Sequence, residues 1–339
     1  MSLCLVGSEM CIRDRISTRS PIFNVLDAGT GEGTIISTFL SGLHKYLPNK
    51  PIFVVGKEIS IDDINVLLSF LGDRFAEHKT LIFNITNCSY KDLNNSTSDN
   101  VKFEKLELVG KKGIDFTKIL MSLSPYIRKN WKLSFNNKNG SIKPKSKIFL
   151  TIYRKDQKKK LKDFIPRNIS EIPKKYDFII ASQCFKLRSP LIQTVNNVIK
   201  PLLSLLNFKG KMFLIYSSGK DFTGSFLKYY YPRNGFYKNS EPKKLISQIK
   251  KNIEKDKFKI KLEKLKYTFN NLSINLKEFS LNNIFSVWNA INYVGQVSEI
   301  EQKKVSFTKK NINILQKRLS KLKNIYFEDN ILNFEKERL

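Results

Sequence analysis

Cysteine, histidine and tryptophan are scarce in this chain, and acidic residues are outnumbered two to one by basic ones. Across 339 residues there are four cysteines, two histidines and two tryptophans, with 30 Asp and Glu against 60 Lys and Arg. Beyond the first fifteen residues only Cys88 and Cys184 occur, too few and too isolated for a disulfide framework or a structural zinc site, and no metal is expected. They fit a reducing, cytoplasmic setting. Lys or Asn breaks every hydrophobic run well short of the roughly 18 to 20 apolar residues that span a bilayer, so no membrane association is expected. The stretch from Met1 to Ile12 superficially suggests a short signal peptide, but Glu9, Arg13, Asp14 and Arg15 interrupt it and no cleavage pattern follows, so no export is inferred. The formal charge of +30 points towards a polyanion such as nucleic acid. Lys greatly outnumbers Arg, however, and Asn, Ile and Phe are abundant, as expected of an AT-rich genome. Guanidinium is the better phosphate fork, so nucleic-acid binding is allowed rather than required.

Residues Leu5 to Arg15 look like the conceptual translation of a sequencing-library adapter, and residues 1–15 are therefore set aside as non-native. The authentic chain is expected to begin near Ile16, with part of its natural N-terminus missing. What remains is long enough, at 41% hydrophobic, to bury one large core.

From Pro21 the short β-rich run Ile22 to Asp27 leads into the glycine cluster Ala28 to Gly33 and then a helical pattern from Thr34 to Lys45. A second strand is read over Ile52 to Glu58, then a helix from about Ser60 with Ile61, Ile64, Leu67, Leu68 and Leu71 at helical spacing. A third strand spans Thr80 to Thr86. Strands alternating with helices imply a parallel sheet covered on both faces. The rhythm breaks at a polar stretch, and residues 91–175 are read as an insertion. It holds strands near Phe103 to Val109 and Lys147 to Tyr153 and a helix from Asp115 to Trp131. It resumes with a strand over Tyr176 to Ser182, a helix over Leu191 to Leu206, a turn at Phe208 to Gly210, a strand over Lys211 to Ser217 and another over Phe258 to Phe269. Lys309 to Asn324 reads as a basic amphipathic helix. The domain reading is 16–90 and 176–300 as two halves of one α/β domain, 91–175 as the insertion, and 301–339 as a basic C-terminal helical tail.

The segment Val25 to Gly33 places an acid at a strand end ahead of glycines spaced G-x-G-x-G. Such glycines allow tight turning, close backbone approach to a ligand and close helix-on-strand packing. A nicotinamide fingerprint would be G-x-G-x-x-G with a pyrophosphate at the helix N-terminus. Here the last glycine comes one residue early, and Asp27 and Glu32 set negative charge where the pyrophosphate would lie. A ligand carrying an ammonium and a sulfonium suits the loop better.

At this point the chain resembles the class I S-adenosylmethionine (SAM)-dependent methyltransferases, whose first motif is matched by Asp27, Gly29, Gly31 and Gly33. The resemblance implies a Rossmann-like α/β sheet with helices on both faces, SAM as cofactor, and in-line methyl transfer to an acceptor. It places the glycine loop against the methionine moiety, Glu58 on the ribose hydroxyls, Ile59 on the adenine ring, Asn87 at the adenine amino group and Ser182 at the end of the fourth strand beside the cofactor. Asn87 stands where the family often has an acid. The segment Ala181-Ser-Gln-Cys184 replaces the Asn/Asp-Pro-Pro-Tyr/Phe motif of exocyclic-amine and glutamine-amide methylating enzymes, which argues against those acceptors. It also lacks the acids that an aminopropyltransferase would use to hold a polyamine. No catalytic base is identified. The alternative function is a non-catalytic basic nucleic-acid-binding module on the same fold.

Other residues have plainer readings. His44 and His78, each alone near a helix end, are expected at the surface, Trp131 and Trp288 as packing anchors, and Cys184 as a small buried filler. Lys228 to Lys238, which interleaves bases with aromatics, suits either nucleotide stacking or a helix end stopped by Pro232.

Overall fold

The computed structural model describes residues 20–58, 61–87, 114–115, 121, 123–135, 141–142, 149–167, 169–182, 191–217, 242–253, 258–269, 313 and 325–337. Its backbone is a nine-stranded mixed sheet in the order β10-β11-β9-β8-β1-β2-β3-β7-β5. The strands are β1 (Phe23–Asp27), β2 (Ile52–Glu58), β3 (Leu81–Asn87), β4 (Ile114–Asp115), β5 (Trp131–Phe135), β6 (Ser141–Ile142), β7 (Phe149–Arg154), β8 (Tyr176–Ser182), β9 (Leu206–Ser217), β10 (Phe258–Phe269) and β11 (Ile325–Lys336). Parallel pairing joins β3, β2, β1, β8 and β9, with β1 central. This is the doubly wound, Rossmann-like arrangement, in which the order of parallel strands reverses at β1.

Helices cover both faces because the strands present apolar side chains alternately to each. Phe23 and Val25 of β1 join one core with Ile36, Phe39, Leu40 and Leu43 of the helix Thr34–Tyr46, and with Ile64, Leu67 and Leu68 of the helix Ile61–Ser69. Leu26 joins the other core, with Val195, Val198, Ile199, Leu202 and Leu203 from residues 191–204 and Leu245 and Ile249 from the helix Pro242–Asn252. The spacing of 36, 39, 40 and 43 lays four side chains on one stripe of the first helix. His44 and Lys45 fall in its last turn, where cations suit the helix dipole. In residues 191–204 a π-helical turn, Val195–Ile199, lies just before Pro201. Pro201 lacks the N–H an α-helix would use there, and the wider turn accommodates it.

Several expectations change. Within residues 91–175, β5 and β7 pair antiparallel with each other, and β7 pairs with β3, so the segment widens the main sheet as well as forming the separate β4–β6 ladder. The helix expected over Asp115 to Trp131 is described as helix at Pro125–Asn130, capped by the Ser124 hydroxyl accepting from the Ile127 N–H at 3.3 Å. Trp131 opens β5, and Asp115 of β4 pairs with Ser141 of β6. The turn at Phe208 to Gly210 is a bulge inside one long strand, β9. There Lys209 has φ 61°, and the pairing with β8 jumps from Tyr176 opposite Leu206 to Phe178 opposite Lys211. A Cβ on Gly210 would lie 2.9 Å from the Asn207 carbonyl oxygen, so the bulge requires glycine.

The largest correction concerns the C-terminal region. Residues 325–336, expected in a helical tail, form β11, which runs antiparallel between β9 and β10. Phe334 and Leu332 are fully buried in it. Of the helix expected at Lys309 to Asn324 only Asn313 is described, as helical and exposed, and the strand expected near Phe103 to Val109 lies outside the described residues, as do Cys88, Cys184, Trp288 and Lys228 to Lys238. No helix among the described residues is long and apolar enough to cross a membrane.

A side chain in an exposed tail tolerates truncation, whereas one in a core strand leaves a cavity. Phe334→Ala is therefore expected to lower the unfolding free energy by about 3 to 5 kcal/mol, read as a shift of the urea midpoint at unchanged slope. A change within about 0.5 kcal/mol would contradict the placement of β11.

Candidate functional site

The carboxyl ends of β1, β2, β3 and β8 bring Asp27, Glu58, Asn87 and Ser182 to one edge of the sheet. Asp27 sits in register with Gly56 and Ile180, and Glu58 with Asn87. This is the topological switch point, where neighbouring connections leave β1 in opposite directions and open a crevice. Ser182 is half-buried at the end of β8. Ile59 lies outside the described residues.

The loop between β1 and the first helix is pinned to both neighbouring strands. The Ala28 N–H donates to the Ile180 carbonyl at 2.8 Å, the Thr30 N–H to the Lys57 carbonyl at 3.1 Å, and the Gly33 N–H to the Thr30 carbonyl at 3.0 Å. Two of the three glycines have conformations that side chains resist: φ is 53° at Gly31 and 83° at Gly33. Gly33 is the helix N-cap, and a Cβ there would sit 2.7 Å from Leu67 Cδ1, so it sets how closely the first two helices pack. A Cβ on Gly31 would meet nothing within 4 Å, so this glycine bares its backbone to open space. Its N–H donates to Glu58 Oε2 at 2.6 Å, which couples the ends of β1 and β2.

The electrostatics of the edge are unusual. Asp27 is almost completely buried, and neither of its oxygens has a donor in good hydrogen-bonding geometry. Burial pushes its carboxyl up to about 8, the Glu58 carboxylate pushes in the same direction, and the Thr30 hydroxyl and Gly29 amide offset only part of this. Glu58 is itself buried. Glu32, which was expected to add to the negative charge, is instead matched by Arg74, whose guanidinium donates to the Glu32 carbonyl and lies 3.8 Å from its carboxylate. The negative charge of the edge thus narrows to Glu58 and, once it ionises, Asp27. Two buried carboxylates that repel one another favour an incoming cation and disfavour a phosphate.

Three participants escaped the sequence reading. Gly56 carries a usable signal, since an isolated glycine inside a strand marks close approach; a Cβ there would fall 2.5 Å from Thr30 Oγ1 and 2.9 Å from Phe83. Thr30 lies within the motif but is not a glycine. Arg74 is 42 residues from Glu32 and had no local signal. His78, expected at the surface, is buried and stands edge-on to His44 with ring centroids 5.4 Å apart. Burial holds its imidazole down at about 4, with the His44 charge adding to the effect. The pair lies towards the amino ends of the parallel strands, away from the site. Trp131 is buried as a packing residue, with Arg154 over its ring at 5.8 Å. Among the described residues no group of three or more His, Cys, Asp and Glu could hold a metal.

No family model matches the chain, and no curated protein matches it in sequence. Among solved structures, the phosphoethanolamine N-methyltransferase 2 of Haemonchus contortus in complex with S-adenosyl-L-methionine is similar at 11% identity and a TM-score of 0.37, over 98% of this chain and 53% of that one. The cyclopropane synthase MmaA2 of Mycobacterium tuberculosis is similar at 10% identity and a TM-score of 0.37, over 97% of this chain and 83% of that one. The chain thus spans about half the length of the first of these.

The Asp27 shift has a definite sign. A carboxyl raised above its unfolded value contributes stability that is fully present below about pH 4 and is lost as pH rises towards about 8. Asp27→Asn keeps the shape and cannot ionise. The variant is expected to gain on the wild type between about pH 5 and 8, by at most about 1.4 kcal/mol per pH unit, in urea unfolding followed across that range. Parallel pH profiles for the two proteins would contradict the buried, unpaired carboxyl.

Proposed function

We propose that this chain is a SAM-dependent methyltransferase of the class I, Rossmann-like type, acting on an acceptor not yet identified. The observation that carries the reading is the pair Asp27 and Glu58, two buried carboxylates at adjacent strand ends flanking the open backbone of Gly31. The residues present fit a ligand with a cationic methionine end and a ribose. Asp27 would face the positive end, Gly29 and Gly31 would let the methionine moiety approach the loop backbone, and Glu58 would accept from the ribose hydroxyls. Asn87, one strand further out and in register with Glu58, would meet the adenine amino group, Ile59 would pack on the ring, and Ser182 would lie on the β8 side.

Bound SAM supplies a methyl group on a sulfonium, a carbon already activated for displacement. The protein is then left with alignment and exclusion of water. Rigid attachment of the loop to both β2 and β8 serves alignment, because the hydrogen bonds from Ala28 and Thr30 prevent it from tilting away from either strand. Burial of Asp27 keeps the electrostatic attraction from being screened by solvent. Asp27 is protonated below about pH 8 when alone, and a cation beside it favours its ionised form, so binding near neutral pH expels a proton.

Calorimetric titration of SAM and of S-adenosylhomocysteine into the wild type, Gly31→Arg, Glu58→Ala and Asp27→Asn tests this. Expected are micromolar binding by the wild type, at least a tenfold loss in the Gly31 and Glu58 variants, and, in buffers of different ionisation enthalpy at pH 7, release of about one proton per SAM bound. That release should vanish in Asp27→Asn. A wild type that binds neither ligand would overturn the reading.

A further inference from the structure

The connection from β7 to β8, residues 154–175, has no part in the site above and carries a strong charge. It begins at Arg154, and β7 is antiparallel to β3, so it leaves from the amino ends of the parallel strands and returns there to start β8. It is therefore at the opposite edge of the sheet from Asp27 and Glu58. Its inner side is apolar, with Leu161 and Ile172 buried against Tyr153, Tyr176 and Ile179 in the core of that face. Its outer side is basic. Over these residues there are nine Lys and Arg against three Asp and Glu, and Lys155, Lys158, Lys159, Lys160, Lys162, Arg167, Lys174 and Lys175 are all exposed.

The few acids there do not cancel this charge. Asp156 is taken up by Arg154 at 3.1 Å, and Glu171 accepts from the Arg167 backbone N–H at 2.8 Å. Three of the lysines are held by backbone carbonyls instead of carboxylates: Lys155 Nζ donates to the Arg128 oxygen at 2.6 Å, Lys160 Nζ to the Asn49 oxygen at 3.4 Å, and Lys175 Nζ to the Ser204 oxygen. A carbonyl orients an ammonium without neutralising it, and leaves it donors for further acceptors. At this edge of the sheet exposed cations gather along the connection, while the buried carboxylates occupy the far edge.

A row of exposed cations in threefold excess over the acids of the same segment fits a partner with repeating anionic charge. Membrane surfaces offer that too, but stable adsorption usually adds apolar insertion. The exposed large apolar residues among those described are Phe70, Met121, Tyr126, Phe208 and Leu262, and none lies in the segment. We propose that residues 154–175 form a docking strip for the phosphate backbone of nucleic acid, separate from the crevice at the carboxyl ends of the strands. The strip reads charge and not sequence, since lysine contacts with phosphates position a nucleic acid without distinguishing its bases. It tethers a polyanion at the opposite edge of the sheet from the crevice. The proposal stands independently of the methyltransferase reading.

The test is fluorescence anisotropy with a labelled mixed-sequence single-stranded RNA of about sixteen nucleotides, with salt varied between about 50 and 200 mM. Lys158, Lys159, Lys160 and Lys162 are changed together to Ser, leaving the buried Leu161 untouched. A second variant changes Lys244, Lys250, Lys251 and Lys261 to Ser, removing the same charge from outside the strip. The wild type is expected to bind with a steep salt dependence. The strip variant should lose at least tenfold in affinity at the lowest salt, with a log–log slope shallower by about two to three. The second variant should stay close to the wild type. Circular dichroism and SAM titration on all three proteins separate loss of fold and failure of the cofactor reading from loss of the strip. The proposal is overturned if the wild type does not bind the RNA, if both variants lose slope equally, or if the wild type binds phosphatidylserine vesicles in place of RNA.

Discussion

The constraint on which the site depends is that the central strand ends in a carboxylate with nowhere to go. β1 is hydrogen-bonded on both sides, by β2 and by β8, and its last residue, Asp27, is closed off from water without a donor in good geometry. Such a group is costly to ionise, and strongly perturbed groups of this kind cluster at functional sites. Its neighbours follow from it. The chain must leave the strand at once, which calls for glycine at Gly31 and Gly33. The loop must not sag onto the carboxylate, and its amides are accordingly tied to Ile180, Lys57 and Glu58.

The same constraint organises the charge of the domain. Glu32, one turn away, would make the edge still more negative, but Arg74 reaches across from the next helical layer and removes it from the balance. What is left is a small, buried negative field at the carboxyl ends of the parallel strands. At their amino ends the connection between β7 and β8 carries the opposite sign in the open. A cationic small molecule and an anionic polymer would therefore meet the two edges of one sheet without competing, because the charges that attract them are at opposite ends of the strands.

Much of this was legible where the signal is local. The strands Phe23–Asp27, Ile52–Glu58, Leu81–Asn87, Tyr176–Ser182 and Phe258–Phe269 lie where apolar runs between turn residues place them. The bond between Gly31 and Glu58 joins the two parts of the sequence that carried the family resemblance. β11 was illegible for a physical reason. Buried on both faces, it shows no alternation, and it carries Glu328, Asp329, Asn330 and Asn333 in its buried run. Glu328 is matched there by Lys264 at 3.2 Å and Lys266 at 3.5 Å from β10, partners some sixty residues away. Similarly, neither histidine announces the other, and only the packing of the first helix over the approach to β3 makes them a pair.

The sequence by itself determined the β-α rhythm, the glycine positions where the backbone must adopt positive φ, and an acid at the end of each of the first two strands, because these depend on a residue and its near neighbours. Only the tertiary structure decided that Asp27 is buried without a well-aligned donor while Glu32 is matched, that residues 131–135 and 149–154 widen the sheet, and that residues 325–336 are a core strand. Those outcomes depend on which distant segments share a dielectric and a hydrogen-bond ladder, and pairing between residues far apart along the chain leaves no periodicity in either one.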